Sequence, residues 1–281
     1  MKIAALLRMI KIEHSVFALP FAYCGMILAA DGWPGAMPFA LITVAMVAMR
    51  SFAMTVNRLA DLPFDAQNPR TQGRELVTGE VGVGQARLLA LGTALVFVGA
   101  CAGLNQLCLM LSPVALGLGA AYSYTKRFTP LCHFVLGATL GLAPVAAWLG
   151  VEPRFTVTAW LLFFGVAFWV AGFDILYACQ DVEFDRANGL HSLPADAGLP
   201  TALAVSWLCH ANTAIFLGLA GGLAGLGWGW WAVWAVVSAI LVFEHMLFRP
   251  DDMRRVNLAF FTLNGVVGVA VFAGVLLGLW L

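Results

Sequence analysis

Charge is what this 281-residue sequence has least of: Asp, Glu, Lys and Arg make up 11% of it, and fifteen acids balance fifteen bases to a net charge of zero. Without a basic excess there is no electrostatic footprint for nucleic acid, so no such partner is indicated. Apolar and polar residues do not alternate with a period of two, which argues against a β-barrel. Close cysteine pairs are missing as well: Cys24, Cys101, Cys108, Cys132, Cys179 and Cys209 are scattered, mostly within apolar runs, and read as ordinary buried thiols. The N-terminal stretch carries Lys2, Arg8, Lys11 and Glu13 but no clear cleavage site, so a retained first helix is expected and not a signal peptide. Low-complexity linkers and a soluble domain are likewise absent from the pattern, and a single polytopic domain over residues 1–281 is expected.

Hydrophobic residues fill the space that charge leaves. They make up 62% of the chain, and the mean hydropathy is +0.89, the composition of a polytopic membrane protein. A helix that crosses the bilayer needs about 20 mostly apolar residues, and runs of that length give about nine spans, at roughly 14–31, 36–57, 87–104, 107–124, 131–149, 156–178, 200–221, 225–246 and 257–280. The fold class expected is therefore an all-α bundle of transmembrane helices. Basic residues orient it. With the N-terminus cytoplasmic, Lys2, Arg8, Lys11, Arg58, Arg70, Arg74, Arg87, Lys126, Arg127, Arg186, Arg249, Arg254 and Arg255 all fall on the cytoplasmic side, against Arg154 alone on the other. The same assignment leaves the C-terminus outside and puts the two long polar loops, near 58–86 and 179–199, on one face.

Those loops hold two clusters. The stretch Asn57 to Glu80, NRLADLPFDAQNPRTQGRELVTGE, gathers four of the fifteen acidic residues and three of the fifteen basic ones. Its Asn57, Asp61 and Asp65 stand at i, i+4 and i+8, one face of a continuing helix, which Pro63 is expected to end or kink. The second cluster, DILYACQDVEFD, repeats the pattern with Asp174, Tyr177, Asp181 and Asp185. Asp174 and Arg50 both lie inside apolar runs, where an ionisable group is by default a functional candidate. Carboxylates that converge repel one another unless a cation joins them. Hard cations such as Mg²⁺ prefer oxygen ligands and bridge carboxylates to substrate phosphates. Arg70, Arg74, Lys126 and Arg127 suit phosphate oxygens directly. The residues thus point to a Mg²⁺–diphosphate site at the cytoplasmic mouth of a helical bundle.

In these two clusters and their surroundings the chain resembles the UbiA superfamily of intramembrane aromatic prenyltransferases, over essentially its full length. The family's first motif, NDxxDxxxD, is similar to NRLADLPFD, followed here by NPRTQGREL; the second, DxxYAxxDxxxD, is matched at every fixed position by DILYACQDVEFD. Between them AYSYTKR is similar to a Tyr–Lys–Arg loop, and GLHSLP follows the second motif. Arg58 departs from the pattern, standing where the first motif has its second residue, Asp, so this site has one carboxylate fewer. The resemblance implies a bundle of about nine helices around a central cavity, and Mg²⁺ held by Asn57, Asp61, Asp65, Asp174, Asp181 and Asp185. It implies transfer of a polyprenyl group from polyprenyl diphosphate to a ring carbon of a hydroxylated aromatic acid such as 4-hydroxybenzoate, in respiratory quinone biosynthesis at the bacterial inner membrane. Tyr122, Tyr124 and Tyr177 are the aromatic faces expected near the allylic cation, and Arg50 the expected partner of the acceptor's carboxylate.

Two alternatives stand beside this reading: a naphthoate acceptor in menaquinone biosynthesis, and, from another class, a cation-coupled transporter. Transporters place their sites near the bilayer midplane on discontinuous helices, whereas these acids lie at helix ends among basic residues. Of the remaining polar residues, Glu13, His14 and Ser15 share a face of the first span. His191 and Ser192 are expected to order the cap or touch diphosphate, and Asn264 to bond between helices. His210, Glu244 and His245 lie away from both motifs and receive no role.

Overall fold

In the computed structural model, residues 3–12, 15–247 and 254–281 are described, so the expectations for Lys2, Glu13, His14 and Arg249 lie outside the described residues. The side chains of Ser15, Arg254 and Arg255 lie outside them too. The regular structure of the described residues is all helix, with no strand: α1 (Ile3–Met9), α2 (Ser15–Ala30), α3 (Ala36–Asp65), α4 (Val83–Leu104), α5 (Gln106–Thr125), α6 (Cys132–Val151), α7 (Val157–Ala178), α8 (Val182–Ala187), α9 (Leu193–Ala197), α10 (Leu199–Leu223), α11 (Trp228–Leu247) and α12 (Arg254–Trp280). Among the described residues eight helices are long and apolar enough to cross a membrane. The first expected span is shorter: its apolar part, Ala18–Ala30, falls below full crossing length.

Neighbours in sequence pack side by side from α2 round to α12, and α12 packs back on α2, so nine described helices close a ring. Small residues bring their backbones together, as membrane helices require where apolar burial gives no driving force. Gly137 and Gly141, one turn apart on α6, press on α7: a Cβ at Gly137 would lie 2.3 Å from the Ala167 carbonyl oxygen, and one at Gly141 2.8 Å from that of Phe163. Gly25 on α2 meets Pro144 on α6 more closely still, at 2.0 Å. The largest core cluster, with Phe21, Trp169, Leu217 and Trp230 in it, lies between α2, α7 and α10–α12. Asn264 bonds between helices as expected, accepting from the Trp169 indole N–H at 3.0 Å.

Two long elements position the site. Helix α3 runs 30 residues and passes through Pro63 to Asp65, so the proline neither ends nor breaks it at that point. Pro63 stands in the final turn, where the missing N–H costs a single ladder bond and no further helix follows to be disrupted. Helix α7 continues through a 3₁₀ turn, Cys179–Asp181, into α8, a 31-residue apolar run from Val157 to Ala187. Both acidic clusters therefore ride on helix ends, with their three- and four-residue spacing kept.

Candidate active site

On the last turns of α3 the Asn57 amide donates to Asp61 Oδ2 at 2.8 Å, an i,i+4 pair on the expected face. Arg58 points elsewhere. It is 5% exposed, and its Nε donates to the Met9 carbonyl at 3.2 Å. Arg50, two turns earlier, does the same: one amino group donates to the carbonyls of Ile10 and Lys11, both at 3.1 Å. The last carbonyls of a helix have no partner within it and carry its negative dipole end, so two arginines from α3 fasten α1 where it stops. Arg50 and Arg58 both remain within electrostatic reach of Tyr122, as does Asp61.

Beyond α3 the loop folds back over the helix end. Asp65 is buried, and Arg74 Nη1 reaches its Oδ2 at 2.5 Å; Thr71 Oγ1 donates to the Asp65 carbonyl at 3.0 Å. Arg70 crosses to the second cluster. Its Nε and Nη2 grip Asp181 Oδ1 and Oδ2 at 3.1 and 2.6 Å, and Nη1 donates to the Tyr177 hydroxyl at 2.6 Å. Its guanidinium also lies 5.2 Å from the centre of the Tyr177 ring. The backbone N–H of Arg70 donates to Asn68 Oδ1 at 2.9 Å, while the Asn68 amide nitrogen reaches Asp181 Oδ1 at 3.4 Å. One bidentate arginine thus bridges two clusters that are 111 residues apart in sequence.

In the second cluster, Asp185 is fully buried between Lys126 Nζ at 2.7 Å and Ser192 Oγ at 2.9 Å. Asp174 Oδ2 lies 2.7 Å from His133 Nδ1, and the other nitrogen of that ring, Nε2, lies 3.2 Å from the Leu193 backbone N–H. The chain from His191 to Leu193 is held close by the His191 N–H, which donates to the Lys126 carbonyl at 2.7 Å. The His191 ring faces away, to Asp196 at 2.8 Å.

Electrostatically the two clusters form one site. Asp61 is within reach of Asp65, Arg74, Lys126 and Arg127, and Lys126 within reach of Asp185, Asp181 and Asp174. Burial by itself lowers the Lys126 pKa, yet these three carboxylates outweigh it and hold the ammonium above the usual lysine value. Arg70 is likewise lowered by burial and raised more strongly by Tyr177 and Asp181. Arg127 is occupied differently: it donates to the Ala60 carbonyl at 2.6 Å and lies over the rings of Tyr124 and Phe64, at 4.8 and 5.4 Å. That stack joins the end of α5 to the end of α3.

The donor set fits Mg²⁺ by its chemistry, with carboxylate and amide oxygens carried on two helix ends and basic side chains among them. Among the described residues no three His, Cys, Asp or Glu side chains converge on one point. Arg74, Arg70 and Lys126 each hold a different aspartate. A cavity of about 600 Å³ lies outside this region, between α1, α3 and α4, lined by Leu6, Thr43, Val47, Ser51, Leu89 and Val96 among others; it contains none of the expected site residues.

Sequence reasoning missed His133, Asn68 and Thr71. His133 carried a usable signal, since it lies at the start of an apolar run where an ionisable side chain is uncommon. Asn68 and Thr71 carried none, because their roles depend on how the loop returns over α3.

The sequence profile of the UbiA prenyltransferase family matches residues 18–280. A curated relative from Chromohalobacter salexigens, named 4-hydroxybenzoate octaprenyltransferase, is 32% identical over 253 residues, 90% of this chain and 84% of its own. Among solved structures, a UbiA homolog from Aeropyrum pernix K1 in its apo form superposes with a TM-score of 0.86 at 33% identity, covering 94% of this chain and 98% of that one. A UbiA homolog from Archaeoglobus fulgidus, bound to GPP and Mg²⁺, has the same fold with a TM-score of 0.69 at 19% identity, covering 96% and 99%.

Proposed function

The chain belongs to the UbiA prenyltransferase family and is a prenyltransferase, and from that premise we propose that it moves a polyprenyl group from polyprenyl diphosphate to a ring carbon of a hydroxylated aromatic acid. The first candidate acceptor is 4-hydroxybenzoate, in respiratory quinone biosynthesis. The protein works as a single polytopic domain in the bacterial inner membrane, with its site on the cytoplasmic side. One observation carries the reading: Arg70 on Asp181, Lys126 on Asp185 and Arg74 on Asp65 gather both acidic clusters and their cations at one end of the bundle. The names of the relatives supply the acceptor class.

Asn57, Asp61, Asp65, Asp174, Asp181 and Asp185 would hold Mg²⁺, whose charge stabilises a departing diphosphate. Arg70, Arg74 and Lys126 bind phosphate oxygens, exchanging the carboxylates they hold in the free protein for the substrate. The C–O bond to diphosphate breaks, the ring carbon ortho to the hydroxyl forms the new C–C bond, and that carbon's proton is lost. Tyr177 and Tyr122 present π faces to positive charge at the allylic carbon. The apolar helices around the site hold the isoprenoid tail and exclude water that would capture the cation.

The test incubates purified protein with Mg²⁺, prenyl diphosphates of several lengths, 4-hydroxybenzoate and a hydroxynaphthoate, and identifies products by mass spectrometry. A prenylated hydroxybenzoate that disappears with EDTA and returns with Mg²⁺ is expected. Prenylated naphthoate alone would move the enzyme to menaquinone biosynthesis. Turnover in a metal-free preparation would remove Mg²⁺ from the mechanism.

A further inference from the structure

The geometry points to His133 as a positioning residue that holds Asp174 in place for Mg²⁺. The inference rests on the reading of Asp174 as a metal ligand. His133 is 2% exposed, at the start of α6, and both of its ring nitrogens are engaged. A backbone N–H can only donate, so the Leu193 N–H aimed at Nε2 from 3.2 Å requires a lone pair there. The proton must then sit on Nδ1, which donates to Asp174 Oδ2 at 2.7 Å. The assignment follows from the two partners together, and it makes the ring a link from a backbone amide to a carboxylate.

What holds the amide is equally specific. Leu193 opens α9 directly after its N-cap, Ser192, whose hydroxyl accepts from the Ala195 N–H at 3.4 Å and donates to Asp185 Oδ2 at 2.9 Å. Adjacent residues of one short segment thus fix both ends of the second cluster, Asp185 through Ser192 and Asp174 through His133. Asp174 is left with Oδ1 for a cation, and its side chain is 25% exposed. Hydrogen-bond partners behind a ligating carboxylate or imidazole set its orientation, and losing one typically weakens metal affinity about 10–100-fold.

The test is Mg²⁺ binding measured by calorimetry on the full chain in detergent, with geranyl diphosphate and no aromatic acceptor, so that nothing turns over. His133→Leu should weaken Mg²⁺ binding about 10–100-fold. His133→Gln, whose amide can still donate and accept, should recover most of that loss. Asp174→Asn should weaken binding at least as much as His133→Leu. Normal Mg²⁺ affinity in His133→Leu with weakened affinity in Asp174→Asn would overturn the role of His133, and so would a Gln variant as weak as Leu. Normal affinity in Asp174→Asn would overturn the ligand assignment underneath, a separate failure. Should His133→Leu not fold, ¹⁵N-histidine NMR of the unsubstituted protein decides: Nε2 of His133 should carry no proton, and a proton on Nε2 would overturn the link.

Discussion

Replacing Arg70 with Gln tests how the two clusters are joined. The guanidinium makes two bonds to Asp181 and one to Tyr177, and no other described side chain links both carboxylate oxygens of Asp181 to the first loop. Breaking a deeply buried ion pair costs about 3–5 kcal/mol, whereas an exposed pair contributes about 0–1 kcal/mol. This pair lies between those limits, with 35% of the Arg70 side chain and 10% of that of Asp181 exposed. A loss of about 1–2 kcal/mol in the substrate-free protein is therefore expected for Arg70→Gln. Asp181→Asn should cost a similar amount, and the double variant much less than their sum. Thermal unfolding in detergent, run as a double-mutant cycle, reads the coupling. The bridge also competes with metal for Asp181, so Arg70→Gln should strengthen Mg²⁺ binding to the substrate-free protein about tenfold, the equivalent of about 1.4 kcal/mol. With diphosphate bound the sign reverses, because Arg70 then holds phosphate, and kcat/KM for prenyl diphosphate should fall about 100-fold, or about 2.7 kcal/mol. Additive single effects with an unchanged KM for prenyl diphosphate would refute the reasoning, leaving Arg70 as a surface contact only.

Four further outcomes are expected. Arg50→Leu should lose about 1–3 kcal/mol from its bonds to the end of α1 and also raise the KM for the aromatic acid with kcat nearly unchanged; a normal acid KM would confine Arg50 to the α1 contact. Asp61→Ala should cut turnover by about two orders of magnitude while the folded protein is retained, and a near-normal rate would show that this carboxylate only shapes the helix end. Gly137→Ala should destabilise the protein by about 1–3 kcal/mol, because its Cβ would collide with the Ala167 carbonyl; an unchanged unfolding midpoint would mean that α6 and α7 can separate freely. For Lys126→Met the pH dependence is the readout. A raised folded-state pKa means that the stabilisation is complete below the unfolded lysine value and is lost only as pH rises above it. The destabilisation should accordingly be the same at pH 6 and pH 9, and a loss confined to one of them would contradict the pairing with Asp185.

Periodicity and composition alone determined that this chain is a bundle of membrane helices. Long apolar runs are the composition a helix needs to cross a bilayer, and the break of each run marks a helix end. The spacing of Asn57, Asp61 and Asp65, and of Asp174, Asp181 and Asp185, was equally legible, because residues three or four apart share a helix face wherever the helix lies. Local reasoning failed first at Pro63, where it could not see that the proline falls in the final turn of α3. Which cation meets which carboxylate was beyond it altogether. Arg70 and Asp181, Lys126 and Asp185, and His133 and Asp174 are joined across 111, 59 and 41 positions, and no repeat in the chain encodes such distances. The same holds for Arg50 and Arg58, whose bonds to the carbonyls at the end of α1 depend on how α1 packs against α3. Tertiary structure decided these pairings because a buried polar group takes whichever partner the fold brings within reach, and that partner is set by how the helices close the ring.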